Sequence, residues 1–150
     1  MTETTPAGMS PLSARLCLLF ALIGLGAACT AAYVHYRVIA DPLYTSFCDV
    51  GSTFNCSQVY SSRFGSVAGI SVAIFGGIFF AFALLLSAAG LTARPAVRES
   101  VPGYLFAAST IGLAVILYLG YASFFVLRQM CPLCLSMYVA VVGTFIVSGA

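Results

Sequence analysis

Cys131-Pro132-Leu133-Cys134 begins the last apolar stretch of the chain, which runs from 133 to 147. Proline suits the first turn of a helix, where its missing N–H leaves no bond unmade. The start of a helix also lowers the pKa of a neighbouring cysteine thiol. We therefore predict a helix that begins here and holds a reactive dithiol at a membrane surface. Two ordinary buried cysteines or half of a metal site are the alternatives, but the sequence offers no second CxxC or histidine partner for tetrahedral zinc.

The composition sets the class of protein. Hydrophobic residues make up 61% of the 150 residues and charged residues only 7%, whereas roughly a quarter of the residues in a soluble domain are charged. The chain is therefore predicted to be a membrane protein. A net charge of +2 is too small to indicate a nucleic-acid partner.

Arginines and prolines bracket apolar segments long enough to cross a bilayer, for which about 20 residues suffice. The predicted spans are 16–36, 67–91, 103–127 and 131–149, with a polar loop over 37–66. A cleaved signal peptide is the alternative for the first span, but its apolar run is longer than a signal-peptide core. We predict an all-α, polytopic membrane protein whose single domain, 1–150, is a four-transmembrane-helix bundle with the loop as a lid.

Counting the crossings places four cysteines on one side of the membrane: Cys48, Cys56, Cys131 and Cys134. Cys17 and Cys29 fall inside the first span, where cysteine is usually a small packing residue. The arginines divide equally between the two sides, so charge does not give the orientation. Disulfides persist in oxidising compartments, which predicts extracytoplasmic redox cysteines and cytoplasmic termini.

The loop itself carries a helix-start pattern. In Asn55-Cys56-Ser57-Gln58, Asn55 is the expected N-cap and Gln58 the third helical position of a capping box. Cys56 would open a short helix and be the better thiolate, whereas Cys48 lies beside the negative charge of Asp49. A Cys48–Cys56 bridge would close a small loop and contribute only about 2–3 kcal/mol. Such a bridge is either exchangeable or a static pin of the loop.

These motifs together resemble the vitamin K epoxide reductase family in its short, four-helix, bacterial-type form. The resemblance runs from the first span to the end of the chain. The matching stretches are Cys48-Asp49-Val50-Gly51, Cys56-Ser57-Gln58-Val59-Tyr60-Ser61-Ser62-Arg63-Phe64-Gly65, Ile74-Phe75-Gly76, and Cys131-Pro132-Leu133-Cys134 with Tyr138.

The resemblance implies an electron relay. Cys48 would be attacked by an external thiol, Cys56 would pass electrons to Cys131, and Cys134 would react with a quinone inside the bundle. This agrees with the chemistry of the residues, because disulfide exchange needs activated thiols and both Cys56 and Cys131 stand at predicted helix starts.

The resemblance also implies a quinone site beneath the lid. Tyr138, one helical turn beyond Cys134, matches a tyrosine that hydrogen-bonds a quinone carbonyl, and Ser62 matches a serine that contacts the quinone. Their alternatives are an interfacial aromatic and a helix-surface serine. Where animal members have an asparagine, this chain has Val72, which argues against opening an epoxide. His35 is expected to be an interfacial residue.

The function predicted from these residues is a membrane thiol:quinone oxidoreductase that supports disulfide-bond formation in an integral membrane protein of the bacterial inner membrane. The quinone would be ubiquinone, menaquinone or vitamin K, no metal is implied, and the thiol partner would be a separate thioredoxin-fold, DsbA-like protein. The first alternative is a vitamin K quinone or epoxide reductase. The second, of a different class, is a non-catalytic four-helix scaffold with a structural loop disulfide.

Overall fold

The computed structural model describes residues 8–150, and the part it describes is almost entirely helical. Four of its helices are long and apolar enough to cross a membrane. The helices, with two short strands between α2 and α3, are α1 Pro11–Ala40, α2 Cys56–Ser61, β1 Ser66–Val67, β2 Ile70–Ser71, α3 Val72–Thr92, α4 Pro95–Tyr121 with a π-helical extension Ala122–Leu127, and α5 Pro132–Gly149. The prediction of an all-α, four-helix membrane protein is confirmed.

Helix α1 packs against both α3 and α5, and these two helices also pack against α4. One face of α1 carries small buried residues at alternating spacings of three and four: Ala14, Cys17, Ala21, Gly24, Ala28 and Ala31. Small side chains let helix backbones approach closely inside a membrane, where no hydrophobic effect drives helices together. At Gly24 the approach is so close that an added Cβ would overlap the ring of Phe80 on α3.

The second span begins later than predicted. Residues 66–71 form an antiparallel hairpin in which Ser66 pairs with Ser71, and α3 starts only at Val72. The hairpin turn lies at Ala68 and Gly69, with φ of 53° and 81°, the left-handed geometry that two-residue hairpins require. Apolar content alone had extended the span back to 67.

The third span begins earlier than predicted. Helix α4 starts at Pro95 and includes Pro102, so the connection after α3 is only Ala93 and Arg94. Pro95 occupies the first helical turn, where proline is favoured. Pro102 removes one backbone hydrogen bond without ending the helix, so most of the segment between the two predicted spans is helical.

The contact between Gly24 and Phe80 yields a test of the packing. Gly24→Ala should destabilise the bundle by about 1–3 kcal/mol, because the new methyl group overfills the α1–α3 interface. Gly26→Ala is the matched control, since a Cβ at Gly26 meets nothing within 4 Å. Thermal unfolding in detergent should show a lower Tm for Gly24→Ala alone; equal melting of the two variants would contradict the packing.

Candidate active site

The loop between α1 and α3 is fixed to the start of α5 by backbone hydrogen bonds. The N–H of Met130 donates to the carbonyl of Thr53 (2.8 Å), and the N–H of Asn55 donates to the carbonyl of Met130 (3.1 Å). Asn55 also caps α2, as predicted, by accepting from the N–H of Gln58 at 2.9 Å. The backbone N–H of Asn55 donates to Met130, whereas the predicted capping box would have it donate to the side chain of Gln58. Cys56 and Cys131, each next to a bonded residue, are thereby brought together.

The four predicted cysteines lie at one end of the bundle. Cys48 and Cys56 form a disulfide, and Cys131 and Cys134 are thiols in the described part of the chain. The Sγ of Cys56 lies 3.0 Å from the Sγ of Cys131. Cys131 is buried, at 2% exposure, so the contact is shielded from water. A disulfide and a thiol at this distance are placed for exchange.

The carboxylate of Asp49 holds the disulfide loop to the start of α2. Asp49 accepts hydrogen bonds from the backbone N–H of Ser46 (3.1 Å) and of Ser57 (3.0 Å), and also from the hydroxyl of Ser57. Burial opposes ionisation of the carboxyl, but these bonds prevail and lower the pKa of Asp49. Its charge is therefore engaged in fixing the loop on either side of the disulfide.

Tyr60 is a site residue that the sequence analysis did not single out. It lies one helical turn after Cys56, and its hydroxyl is 3.1 Å from the Sγ of Cys131 and 3.7 Å from the Sγ of Cys134. Burial, and then the negative charge that the Cys134 and Cys131 thiols can carry, raise the pKa of Tyr60, so the phenol remains a donor. The i, i+4 spacing from Cys56 was the available signal.

Cys131 has the thiolate character predicted for one sulfur of the CxxC. The pKa of Cys131 is lowered to about 7, chiefly by a hydrogen bond from Cys134. Burial opposes this shift, and hydrogen bonds from Tyr60 and from the N–H groups of Cys134 and Leu133 support it. The N–H groups belong to the start of α5, where Pro132 occupies the first turn. The helix start therefore helps to lower the pKa of Cys131, as the sequence predicts. The side-chain hydrogen bonds from Cys134 and Tyr60 could not be predicted from the spacing of the residues.

An apolar cavity of about 50 Å³ adjoins the CxxC. Its walls include Cys134 and Tyr138, together with Ala31, Val59, Tyr60, Phe64, Gly65, Val72, Ala73, Leu119, Ser123, Leu127 and Met137. A second cavity of about 230 Å³ between α3, α4 and α5 shares Val72, Leu119, Met137 and Tyr138 with the first. The two apolar cavities are therefore neighbours, and the smaller one has a sulfur of the CxxC on its wall.

Ser62 lies outside both cavities. Its hydroxyl donates to the carbonyl of Val59 at 2.6 Å and so closes the end of α2, and its carbonyl accepts from the N–H of Gly65. The contact of Ser62 with a quinone therefore remains a prediction without a supporting neighbour in the structure. Val72, in contrast, does line the cavities and presents an apolar side chain there.

Three residues of α1 were also considered in the sequence: His35, Cys17 and Cys29. His35 is buried, at 1% exposure, and packs edge-on against Tyr60, so its side chain faces the protein interior, and its place at the membrane interface stays a prediction. Cys17 is buried and Cys29 exposed on α1, both as thiols. Cys48, Asp49 and Cys56 each place a potential metal-ligand atom within 4.8 Å of the others, but the two sulfurs are bonded to each other.

The described part of the chain thus combines four membrane-length helices with a buried thiol against a disulfide, the arrangement of a membrane protein built for thiol–disulfide exchange. Comparison with known proteins gives the family. The model of the vitamin K epoxide reductase family matches residues 15–148. The vitamin K epoxide reductase complex subunit 1 of Mus musculus is 34% identical, over 93% of this chain and 89% of that protein. The subunit of the same name from Rattus norvegicus is 33% identical, over 89% and 87%. The chain belongs to the vitamin K epoxide reductase family.

The lowered pKa of Cys131 predicts how its reactivity depends on pH. The thiolate is the nucleophile, so the alkylation rate of Cys131 should be half-maximal near pH 7 and level off above it. Residue-resolved mass spectrometry with a small alkylating reagent measures this rate. The same cysteine in urea-unfolded protein is the control, and its rate should keep rising toward about pH 8.5, the ordinary cysteine pKa. Identical profiles in folded and unfolded protein would contradict the hydrogen-bonded thiolate.

Proposed function

We propose that this protein relays two electrons from the thiols of a partner protein to a membrane quinone and so supports disulfide-bond formation. Cys48 and Cys56 receive the electrons, and Cys131 and Cys134 pass them on. The observation that carries the proposal is the 3.0 Å separation between the Sγ atoms of Cys56 and Cys131. This contact places the loop disulfide against the CxxC dithiol, and Cys134 of that dithiol lines an apolar cavity.

The relay proceeds by balanced exchange steps. Two partner thiols reduce the loop disulfide, and the thiolate of Cys56 then attacks Cys131 of an oxidised CxxC, releasing Cys134 as a thiolate. Cys48 next attacks Cys56, which restores the loop disulfide and releases Cys131. This last product is the redox state of the structure, with Cys48 bonded to Cys56 and Cys131 beside it. The CxxC dithiol finally becomes a disulfide as two electrons and two protons reduce the quinone to a quinol.

The cavities support a quinone as the electron acceptor. Cys134 and Tyr138 lie on the wall of the smaller cavity, where a thiol and a hydroxyl could meet a quinone head group. The larger cavity is apolar and adjoins the smaller one, with which it shares four wall residues, and this position suits the isoprenoid chain of ubiquinone, menaquinone or vitamin K. The tyrosine hydroxyl would donate a hydrogen bond to one quinone carbonyl.

Vitamin K epoxide reduction is the second candidate function. The names of the mouse and rat relatives favour it. Opening an epoxide needs a donor for the developing oxyanion, and Val72 puts an apolar side chain at a wall position shared by both cavities. Reduction of a quinone does not need a hydrogen-bond donor at position 72, and we therefore propose quinone reduction as the first candidate function.

The partner and the orientation follow from the same relay. Cys48 is only 5% exposed, but Leu43, Phe47 and Val50 near it are exposed apolar residues that a thioredoxin-fold, DsbA-like partner could cover on docking. Such a partner works in an oxidising compartment. We therefore place the loop on the extracytoplasmic side of a bacterial inner membrane, with both termini in the cytoplasm.

Thiol trapping tests the relay. The purified protein is reduced, mixed with a short-chain quinone and quenched in acid, and its disulfides are identified by mass spectrometry. We expect quinone to be converted to quinol as Cys131 and Cys134 become bonded, followed by the loop pair. Cys131→Ser should abolish quinol formation, whereas Cys29→Ser, which changes an exposed thiol on α1, should not.

Two further outcomes of this experiment concern the alternatives. Unchanged cysteine states with and without quinone would establish the scaffold with a structural loop disulfide. With a thioredoxin-fold protein added in its disulfide form, the Cys48 thiolate of Cys56→Ala should attack that disulfide and remain bonded to one of its sulfurs while the other leaves as a thiolate, because Cys56 is no longer present to resolve the mixed disulfide.

Tyr138 yields a separate prediction. Loss of one hydrogen bond costs about 1 kcal/mol, and up to about 3 kcal/mol if a buried group stays unpaired. Tyr138→Phe should therefore weaken quinone use by roughly five- to a hundredfold without lowering Tm. Quinol formation followed by absorbance at varied quinone concentration measures this. Tyr118→Phe, an exposed tyrosine, is the control, and equal kinetics for both variants would remove Tyr138 from the quinone site.

A further inference from the structure

Tyr60 and Cys56 lie on the same face of the short helix α2. They are four residues apart, one turn of a helix, and both are buried. Cys131 contacts both of them, through its sulfur, at 3.0 Å from Cys56 Sγ and 3.1 Å from the Tyr60 hydroxyl. One helix therefore presents to Cys131 the sulfur with which it exchanges and a hydrogen-bond donor.

The ring of Tyr60 is held so that its hydroxyl points at the sulfurs. His35 on α1 packs edge-on against the ring, with 6.2 Å between centroids and 80° between planes. On the backbone side, a Cβ at Gly65 would overlap the main chain of Tyr60, so the glycine allows the loop to close tightly behind it. The hydroxyl lies in a buried site where a polar group without a partner would be costly, and the sulfurs are its partners.

Resting on the relay proposed above, we propose that Tyr60 is a catalytic residue whose hydroxyl donates a hydrogen bond to Cys131 as that sulfur leaves Cys56. In this step the bond between Cys48 and Cys56 forms, and the bond between Cys56 and Cys131 breaks. Cys48 loses its thiol proton to water to become the nucleophile, and Cys131 departs with the electron pair as a thiolate. No net oxidation occurs, and no further reactant is needed.

The donor favours one side of this exchange. A thiolate is a charged acceptor and binds a phenol O–H far more strongly than the neutral sulfur of a disulfide does. Tyr60 therefore stabilises the state in which Cys131 is free and Cys48 is bonded to Cys56. That state has moved the electrons out of the loop and onto the CxxC, beside the cavity that the quinone would enter.

An intramolecular equilibrium tests this role without quinone or partner. In Cys134→Ala, the three remaining site cysteines can form either the Cys48–Cys56 or the Cys56–Cys131 disulfide. We expect Tyr60→Phe in that background to shift the ratio toward Cys56–Cys131 by about ten- to a hundredfold at pH 8, since a hydrogen bond to a charged group is lost. Acid trapping followed by mass spectrometry of disulfide-linked peptides measures the ratio.

The control is Tyr36→Phe in the same background. Tyr36 also packs edge-on against His35, but it is a half-exposed phenol on the outer side of α1 and should leave the ratio unchanged. Tyr60→Phe keeps the ring that His35 contacts, and an unchanged Tm in detergent verifies that the fold is kept.

The outcomes separate the two proposals. A shift in Tyr60→Phe alone supports the catalytic hydrogen bond. The role of Tyr60 is overturned if Cys134→Ala alone, with Tyr60→Phe and with Tyr36→Phe give the same ratio of the two disulfides. It is also overturned if Tyr36→Phe shifts the ratio as much as Tyr60→Phe does. In both cases the relay stands. Cys48 bonded only to Cys56 in every variant and redox buffer overturns the relay itself, and the role of Tyr60 with it.

Discussion

The site depends on a short piece of backbone pairing between the loop and the segment before α5. Met130 is hydrogen-bonded to Thr53 and to Asn55 through the backbone. Met130 directly precedes Cys131, and Asn55 directly precedes Cys56. Two hydrogen bonds between amides that are 75 or more residues apart thus fix the distance between two sulfurs. Asn55 serves this pairing with its N–H and caps α2 with its side chain. Backbone groups set the geometry, which leaves the side chains at the site free for chemistry.

The π-helical end of α4 makes this pairing reachable. Ala122–Leu127 winds more loosely than an α-helix, and Arg128 then turns the chain with a left-handed conformation. The N–H of Gln129 bonds back to the carbonyl of Ser123, which directs Met130 toward the loop. π-helical turns occur often at functional sites. Here the turn also places Ser123 on the wall of the smaller cavity, so one irregularity serves both the sulfurs and the cavity.

The sequence carries enough information for the bundle and for the four sulfurs that the structure brings to one end of it. Apolar segment length is a direct consequence of bilayer thickness, and the parity of crossings then brings Cys48 and Cys131 to one side without any knowledge of packing. Segment ends were less accurate, because apolar content does not distinguish Val67 in a hairpin from Val72 in a helix. The burial of Tyr60 and of His35 was not predicted, for another reason. Both are buried by the fold of the loop over α1, a contact between distant segments that no local pattern encodes.

A membrane site of this kind must keep water from a reactive sulfur and still move protons with the electrons. Cys131 is nearly inaccessible, and the groups that contact it are a disulfide sulfur, a thiol and a phenol. Of these the phenol alone neither takes part in a disulfide nor loses its proton readily, because burial raises the pKa of Tyr60. A phenol can therefore remain a donor through every redox state of the four cysteines. Its hydrogen bond would add to those from the Cys134 thiol and from the N–H groups at the start of α5, which also favour a thiolate at Cys131.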